Sequence, residues 1–412
     1  MSYALAMLSV HTSPLALPGS AKDAGGMNVY IRELALELSR SHCCVDIFTR
    51  RTQPDQPEIV SLAPRVRVIH ITAGPAAPVE KHQLSQHLPA FARQVTAFAC
   101  REQRRYALVH SHYWLSGAVA LPLADHWQVP HLTMFHTLAY LKHLANPEQA
   151  EPEARLSMER RLIQRADRII ATTHDERLQI IRHCGALPHR VQVIPCGVDL
   201  ERFVPHDTRQ ARARLGLKVD RPVLLFVGRL DPFKGPDVFL QAAALMRKKA
   251  QLVVVGGQLT GDPELERLHQ LARQSGLAGR VHFLGARPQQ ELPMIYSAAD
   301  VTVVPSYHES FGLAAVESLA CETPVVATRA GGLIAIVRSG QTGYLVPRCP
   351  GFFAERLDSL LAAPDTLEQM RAAARPSIVD YSWQSVARSM LEVYTDMLTE
   401  VAERTGARAA LV

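Results

Sequence analysis

Glu309-Ser310-Phe311-Gly312-Leu313-Ala314-Ala315-Val316-Glu317 sets two carboxylates eight residues apart, just past an apolar, β-branched run at 301–306. Such a run, then a glycine, then an apolar helical pattern reads as strand, loop and helix N-terminus. Free N–H groups at a helix start hold phosphate, and carboxylates beside them can take the hydroxyls of a sugar and a ribose. Paired carboxylates for glycoside hydrolysis flank a sugar at about 5–10 Å from opposite sides. Here both come from one strand edge, which suits holding rather than hydrolysing. By residue type alone the pair reads equally well as an N-terminal glutamate and a surface one.

Working outward, the same unit repeats. Short apolar runs at 3–10, 45–49, 66–71, 107–112, 131–136, 168–173 and 191–195 are bounded by turn residues. A second series follows at 222–228, 251–257, 280–285, 301–306, 323–328 and 342–346. Helical patterns fill the gaps: Met27, Ile31, Leu34 and Leu38 share one face, and 237–247 and 264–275 read likewise. Strands alternating with helices give a parallel sheet covered on both faces. The expected fold is therefore α/β, with domains at 1–200 and 201–384 and a C-terminal helix, 385–412, packing back on the first. A polar stretch at 196–221 is the linker. Ligands in such sheets sit at the carboxyl ends of strands.

Two more loops occupy those ends. Gly228-Arg229-Leu230-Asp231-Pro232-Phe233-Lys234-Gly235 follows the first strand of the second half. Arg229 and Lys234 can neutralise a diphosphate there, or form a solvated turn. Gly19-Ser20-Ala21-Lys22-Asp23-Ala24-Gly25-Gly26-Met27-Asn28 follows the first strand of the chain and opens a helix. It is an anion-binding loop or an ordinary βα connection, and it lacks the G-x-G-x-x-G of a nicotinamide site. His110-Ser111-His112-Tyr113-Trp114 and Phe135-His136-Thr137 end two neighbouring strands. No acidic residue or cysteine nearby completes a zinc set. His136 fits better as a polar donor to a sugar.

The chain of 412 residues carries a net charge of +6, with basic residues spread along it rather than interleaved with aromatics. That favours anionic small substrates over nucleic acid. Seven scattered cysteines, with Cys43 and Cys44 adjacent, give no disulfide framework. No apolar run approaches the ~20 residues of a membrane span. The start, lacking a basic n-region, reads as a buried strand rather than a signal peptide. A cytoplasmic address is expected.

Taken together, these motifs resemble the retaining glycosyltransferases of the GT-B fold, the large family that includes sucrose synthase and sucrose-phosphate synthase. The E-x7-E of Glu309 and Glu317 and the G-R-L-x-P-x-K-G of 228–235 carry the likeness. His11-Thr12-Ser13-Pro14-Leu15, Gly25-Gly26-Met27-Asn28-Val29-Tyr30, His110–Gly117 and His136-Thr137-Leu138 are similar to the branch that glycosylates inositol phosphate. The resemblance implies two facing Rossmann-like domains with a cleft between them. It implies a UDP-sugar donor met by His11, Gly26, Arg229, Lys234, Arg287, Glu309, Ser310, Phe311, Gly312, Leu313 and Glu317. The phosphorylated acceptor would meet Asp23, Gly25, Gly26, Asn28, Lys81, Tyr113, Thr137 and Arg155. His136, Arg229, Lys234 and Glu309 would serve the chemistry. No cofactor is required, although the resemblance implies a structural magnesium ion near Tyr296, Ser297, Ala299 and Thr323, and a homodimer. Leu17 and Leu156 depart from the residue types common at those positions.

The expected reaction moves N-acetylglucosamine from a UDP-sugar to a phosphorylated polyol. Alternatives are transfer of glucose to a sugar phosphate, nucleotide-sugar epimerisation, and a binding protein that keeps the fold without turnover.

Overall fold

The computed structural model describes residues 3–17, 25–145 and 151–405. The chain forms two compact units. One comprises Met1–Ala16, Met27–Pro195 and Trp383–Val412; the other comprises Leu17–Gly26 and Cys196–Ser382. The breaks after Pro195 and Ser382 fall a few residues before the expected ones.

The first unit holds an eight-stranded sheet. Its strands are β1 (Ala4–Leu8), β2 (Cys44–Arg50), β3 (Ile59–Ala63), β4 (Val66–Ile71), β5 (Leu108–His112), β6 (His131–Met134), β7 (Arg168–Ala171) and β8 (Val191–Val193), in the order β3-β4-β2-β1-β5-β6-β7-β8. Leu5, Ala6, Met7 and Leu8 are all fully buried, as a parallel strand covered on both faces requires. Helices Leu88–Arg101 and Tyr113–Trp127 pack Phe91, Val95, Phe98, Leu115 and Val119 into the core. Strand β3 runs antiparallel to β4 at the sheet edge and was not expected. Its residues are half-exposed along their length, so it lacks the apolar run that marks the other strands. An antiparallel edge on a parallel sheet is common.

The chain returns to this unit through the helix Trp383–Thr405. Trp383 stands edge-on to Tyr30 at 5.5 Å, and Met390 and Met397 are buried. The Tyr394 hydroxyl lies 2.7 Å from His110 Nδ1, and Arg168 pairs with Glu400.

The second unit holds β9 (Val223–Val227), β10 (Gln251–Val255), β11 (Val281–Gly285), β12 (Val301–Val304), β13 (Val325–Thr328) and β14 (Gly343–Val346). The order is β11-β10-β9-β12-β13-β14, all parallel. In chain order this is 3-2-1-4-5-6, the Rossmann arrangement. Helices Pro236–Leu245 and Pro263–Gln274 stand where the apolar periodicity puts them. Phe226, Phe239, Leu252, Leu268 and Phe353 form the centre of its core.

Candidate active site

A doubly wound sheet opens a crevice where its strand order reverses, at the carboxyl ends. In the second unit that point lies between β9 and β12, and the two charged loops start there. Lys234 Nζ donates to Glu309 Oε1 at 2.7 Å, and Ser306 Oγ donates to the same oxygen at 2.8 Å. Burial alone would raise the Glu309 carboxyl; Lys234 and Ser306 outweigh it and hold it below the usual carboxylate range. Glu309 is thus an ionised carboxylate in a largely dry place.

Backbone contact keeps the loops together. Gly235 has φ +76°, and a Cβ there would fall 2.4 Å from the Pro305 carbonyl oxygen. No other residue tolerates both. On the far side, Gly332 N donates to the Glu309 carbonyl at 2.7 Å, and a Cβ on Gly331 would lie 2.0 Å from that same oxygen. Sequence reasoning passed over this glycine pair, although a Gly-Gly doublet just past a strand (β13) was a readable sign of close approach. Phe311 is buried edge-on to Tyr381 at 5.6 Å. Gly312, with φ 107°, caps the helix Leu313–Ala320.

Glu317 sits inside that helix and is buried, so the surface reading of it falls. Gln289 Nε2 donates to its Oε1 at 3.1 Å and Tyr296 Oη to its Oε2 at 2.8 Å. Arg202 Nη1 in turn donates to Gln289 Oε1 at 3.0 Å. Neither Gln289 nor Arg202 figured in the sequence reading. Arg229 pairs with Asp231 at 3.6 Å, in the same loop as Lys234. Arg287 follows β11, the outermost strand, and its guanidinium is engaged locally by the Leu284 carbonyl and Glu291.

In the first unit the order reverses between β1 and β5, and the loops there again carry the chemistry. Tyr113 follows β5 with φ 74°, a left-handed backbone rare outside glycine. Its ring lies 4.6 Å from the His11 ring, 5.0 Å from the Arg155 guanidinium and 5.6 Å from Lys81 Nζ. Arg155 Nη2 donates to the Thr137 carbonyl at 2.6 Å. Lys81, Tyr113, Thr137 and Arg155, far apart in sequence, therefore converge. Arg155 is nevertheless occupied: its Nε donates to Glu159 at 2.7 Å and Nη1 to Glu151 at 2.8 Å, and Lys142 also reaches Glu151 at 2.6 Å. These acids went unread in the sequence. His11 is held well below the ordinary histidine range by burial first and then by the nearby Lys81 and Arg155 cations, so it is neutral. Asn28 braces the loop after β1, donating to Thr12 Oγ1 at 2.7 Å and the Ser13 carbonyl at 2.5 Å. Gly25 and Gly26 stand at the start of the helix Gly26–Arg40. Asp23 lies outside the described residues.

His136, just past β6, has φ 58°, and its Nε2 lies 2.9 Å from His112 Nδ1. Burial drives its pKa from 6.5 to about 3, so the ring is neutral.

Tyr296, Ser297, Ala299 and Thr323 do come together, at the end of the helix Leu292–Ala298, but their oxygens are engaged. The Tyr296 carbonyl accepts from Thr323 Oγ1 at 2.8 Å and Ala299 N at 3.0 Å. The Thr323 carbonyl accepts from Ser318 Oγ at 2.8 Å, and Ser297 Oγ accepts from His206 N at 3.0 Å. The Ala299 carbonyl accepts from the Arg371 guanidinium at 3.1 Å. Of these oxygens only the Ala299 carbonyl faces a cation, the Arg371 guanidinium. Among the described residues, no three His, Cys, Asp or Glu side chains gather as a metal site, and no helix is long and apolar enough to cross a membrane.

Two Rossmann-like units, each with cations and polar groups at its strand reversal, define an enzyme of the GT-B glycosyltransferase class. Residues 207–376 match the family of glycosyl transferases group 1, and residues 24–202 match glycosyltransferase family 4. The chain belongs to the group 1 glycosyltransferases. It is 43% identical over 407 residues to a D-inositol 3-phosphate glycosyltransferase of Corynebacterium diphtheriae, covering 96% of this chain and 95% of that one. It is 44% identical over 410 residues to another so named from Geodermatophilus obscurus, covering 97% and 90%. Among solved structures, sucrose-phosphate synthase from Thermosynechococcus elongatus superposes with a TM-score of 0.91 at 34% identity, over 97% of this chain and all of that one.

Proposed function

We propose that this transferase moves N-acetylglucosamine from a UDP-sugar to inositol phosphate, with retention at the anomeric carbon. The observation that carries the acceptor assignment is the meeting of Lys81 and Arg155 around the Tyr113 ring, with Thr137 beside them. The Lys81 ammonium suits a phosphate as a point cation, and Arg155, held by Glu151 and Glu159, adds positive charge beside it and fixes the Thr137 backbone. The names of the relatives at 43% and 44% identity support the same acceptor.

In the second unit, Arg229 and Lys234 offset the charge that grows on the departing diphosphate. Glu309, held ionised by Lys234, takes sugar hydroxyls. Glu317 takes the ribose, and His136 takes the sugar's C6 hydroxyl. The bond from the anomeric carbon to the UDP oxygen breaks as the bond to the acceptor oxygen forms on the same face. A donor phosphate oxygen receives the acceptor's proton, so no protein nucleophile is needed. The enzyme contributes orientation and charge stabilisation.

The likeness to sucrose-phosphate synthase favours a second reading, in which glucose goes to a sugar phosphate at the same anion pocket. A screen of UDP-sugars against inositol phosphate, inositol and fructose 6-phosphate, read by UDP release and mass spectrometry, separates the two. NMR of the product's anomeric proton tests retention. UDP release with no acceptor dependence would overturn both readings.

A further inference from the structure

Three histidine rings stand in a row in the first unit. The His110 and His112 ring centres are 4.2 Å apart, and those of His112 and His136 are 5.1 Å apart. The row follows from sheet register. His110 and His112 lie on β5, which pairs with β6 at His112↔Met134; His136 is two residues beyond Met134 on the neighbouring strand end. Tyr30 packs edge-on against both His112 and His136, at 5.7 and 5.3 Å, so neither ring is free to turn.

Burial comes first in holding both His112 and His136 well below the ordinary range, so two neutral imidazoles meet at 2.9 Å. Each carries one proton. The contact between His112 Nδ1 and His136 Nε2 therefore has one donor and one acceptor, in one of two ways. If His136 Nε2–H donated, the His112 proton would be on Nε2. That atom is buried and has no hydrogen-bond partner among the described residues. A buried N–H without an acceptor costs more than an unfilled lone pair. The other arrangement leaves only a lone pair there.

We propose that His112 is a positioning residue: its Nδ1–H donates to His136 Nε2 and so fixes His136 in the tautomer that carries its proton on Nδ1. The left-handed backbone of His136, φ 58°, presents that ring just past β6, a conformation that persists only where the surroundings over-determine it. That tautomer makes His136 Nδ1 an N–H donor, matched to a hydroxyl oxygen and not to a hydroxyl proton. This last step rests on the reading of His136 as a sugar contact, and the tautomer itself does not.

The test separates the two. Long-range 1H–15N correlation on histidine-labelled protein without substrate reports the protonated nitrogen of each ring, with His136 assigned by its loss in His136→Gln. An Nδ1–H pattern for His136 is expected; an Nε2–H pattern overturns the proposal whatever the kinetics. In His112→Phe, which keeps a ring but no donor, His136 should sample both tautomers and kcat should fall at least tenfold, with acceptor KM within about twofold. His112→Asn, whose amide nitrogen falls near the Nδ1 position, should restore most of the loss and the single tautomer. Loss of the tautomer in Phe with no recovery in Asn counts against His112 as the donor. A correct tautomer combined with full activity in His136→Gln would instead remove the sugar contact and leave the tautomer assignment standing.

Discussion

Lys234 Nζ lies 2.7 Å from Glu309 Oε1, tying the loop after β9 to the loop after β12 at the point where the second sheet reverses its strand order. The pair holds each group's charge in place before any substrate arrives. Its members are therefore not independent. Lys234→Ala should cut kcat by roughly 10²–10³, as loss of one donor to a developing oxyanion does, and Arg229→Ala should act similarly. Glu309→Gln should also lower kcat, but Lys234→Ala/Glu309→Gln should lose less than the product of the single effects. Steady-state kinetics on the set checks this. Near-normal turnover in both Lys234→Ala and Arg229→Ala removes the diphosphate assignment.

Glu309 and Glu317 should separate in calorimetry. Glu317 takes hydrogen bonds from Gln289 and Tyr296 on its two oxygens. In Glu317→Gln one of these donors faces an amide N–H₂ instead, which costs about 1–3 kcal/mol. UDP affinity should drop more in Glu317→Gln than in Glu309→Gln, while kcat shows the opposite ranking. Equal loss of UDP binding in both variants sinks the division between ribose and sugar.

The alternation of elements was readable because parallel strands are buried on both faces: runs such as Val223–Val227 have no polar interruption. The loops that carry Lys234, Glu309, Tyr113 and His136 were readable because each follows such a strand. What escaped is tertiary. Gln289 and Tyr296 reach Glu317 from 28 and 21 residues away, and neither has a local pattern to announce it. Glu151 and Glu159 have no sequence pattern that sets them apart from ordinary surface charges, yet their side chains are 7% and 6% exposed and both pair with Arg155. The pairing of His112 with His136 could have been found: two histidines at the ends of adjacent strands must meet once the register is known.

The buried imidazoles set the acid limit of the fold. His131 and His136 have pKa values moved by burial from 6.5 to about 3, and His11, His110 and His112 are lowered by burial first. Each takes up a proton on unfolding below pH 6.5 that the folded state refuses. Stability is therefore full above that pH and falls as pH drops, at about 1.4 kcal/mol per unit for each histidine. For His131 and His136 the window runs from 6.5 down to about 3. Glu176, raised by burial, works the other way near the carboxylate range and flattens the lower part. Urea unfolding across pH 7 to 5 should show the slope, and His131→Gln should reduce it by one histidine's share. An unchanged slope in that variant rules His131 out as a contributor.

The acceptor pocket is best tested at Lys81, because Arg155 does two things at once. Its guanidinium holds Glu151 and Glu159 as well as the Thr137 carbonyl, all in a buried setting. Arg155→Ala would leave the buried Glu159 without its cation and Glu151 with Lys142 alone, and breaking a buried pair in this way costs about 3–5 kcal/mol. A rise in acceptor KM from that variant would therefore come with a lower Tm and could not be assigned to phosphate. Lys81 carries its charge beside the same Tyr113 ring, 5.6 Å from its centre. Lys81→Ala should leave Tm within a few degrees of the parent, raise KM for the phosphorylated acceptor at least tenfold, and leave KM for the UDP-sugar unchanged. With unphosphorylated inositol the same variant should behave as the parent does, so that the preference for the phosphate narrows. Paired titrations of both acceptors against both proteins decide it: an equal rise for inositol and inositol phosphate would mean that Lys81 serves the ring and not its phosphate.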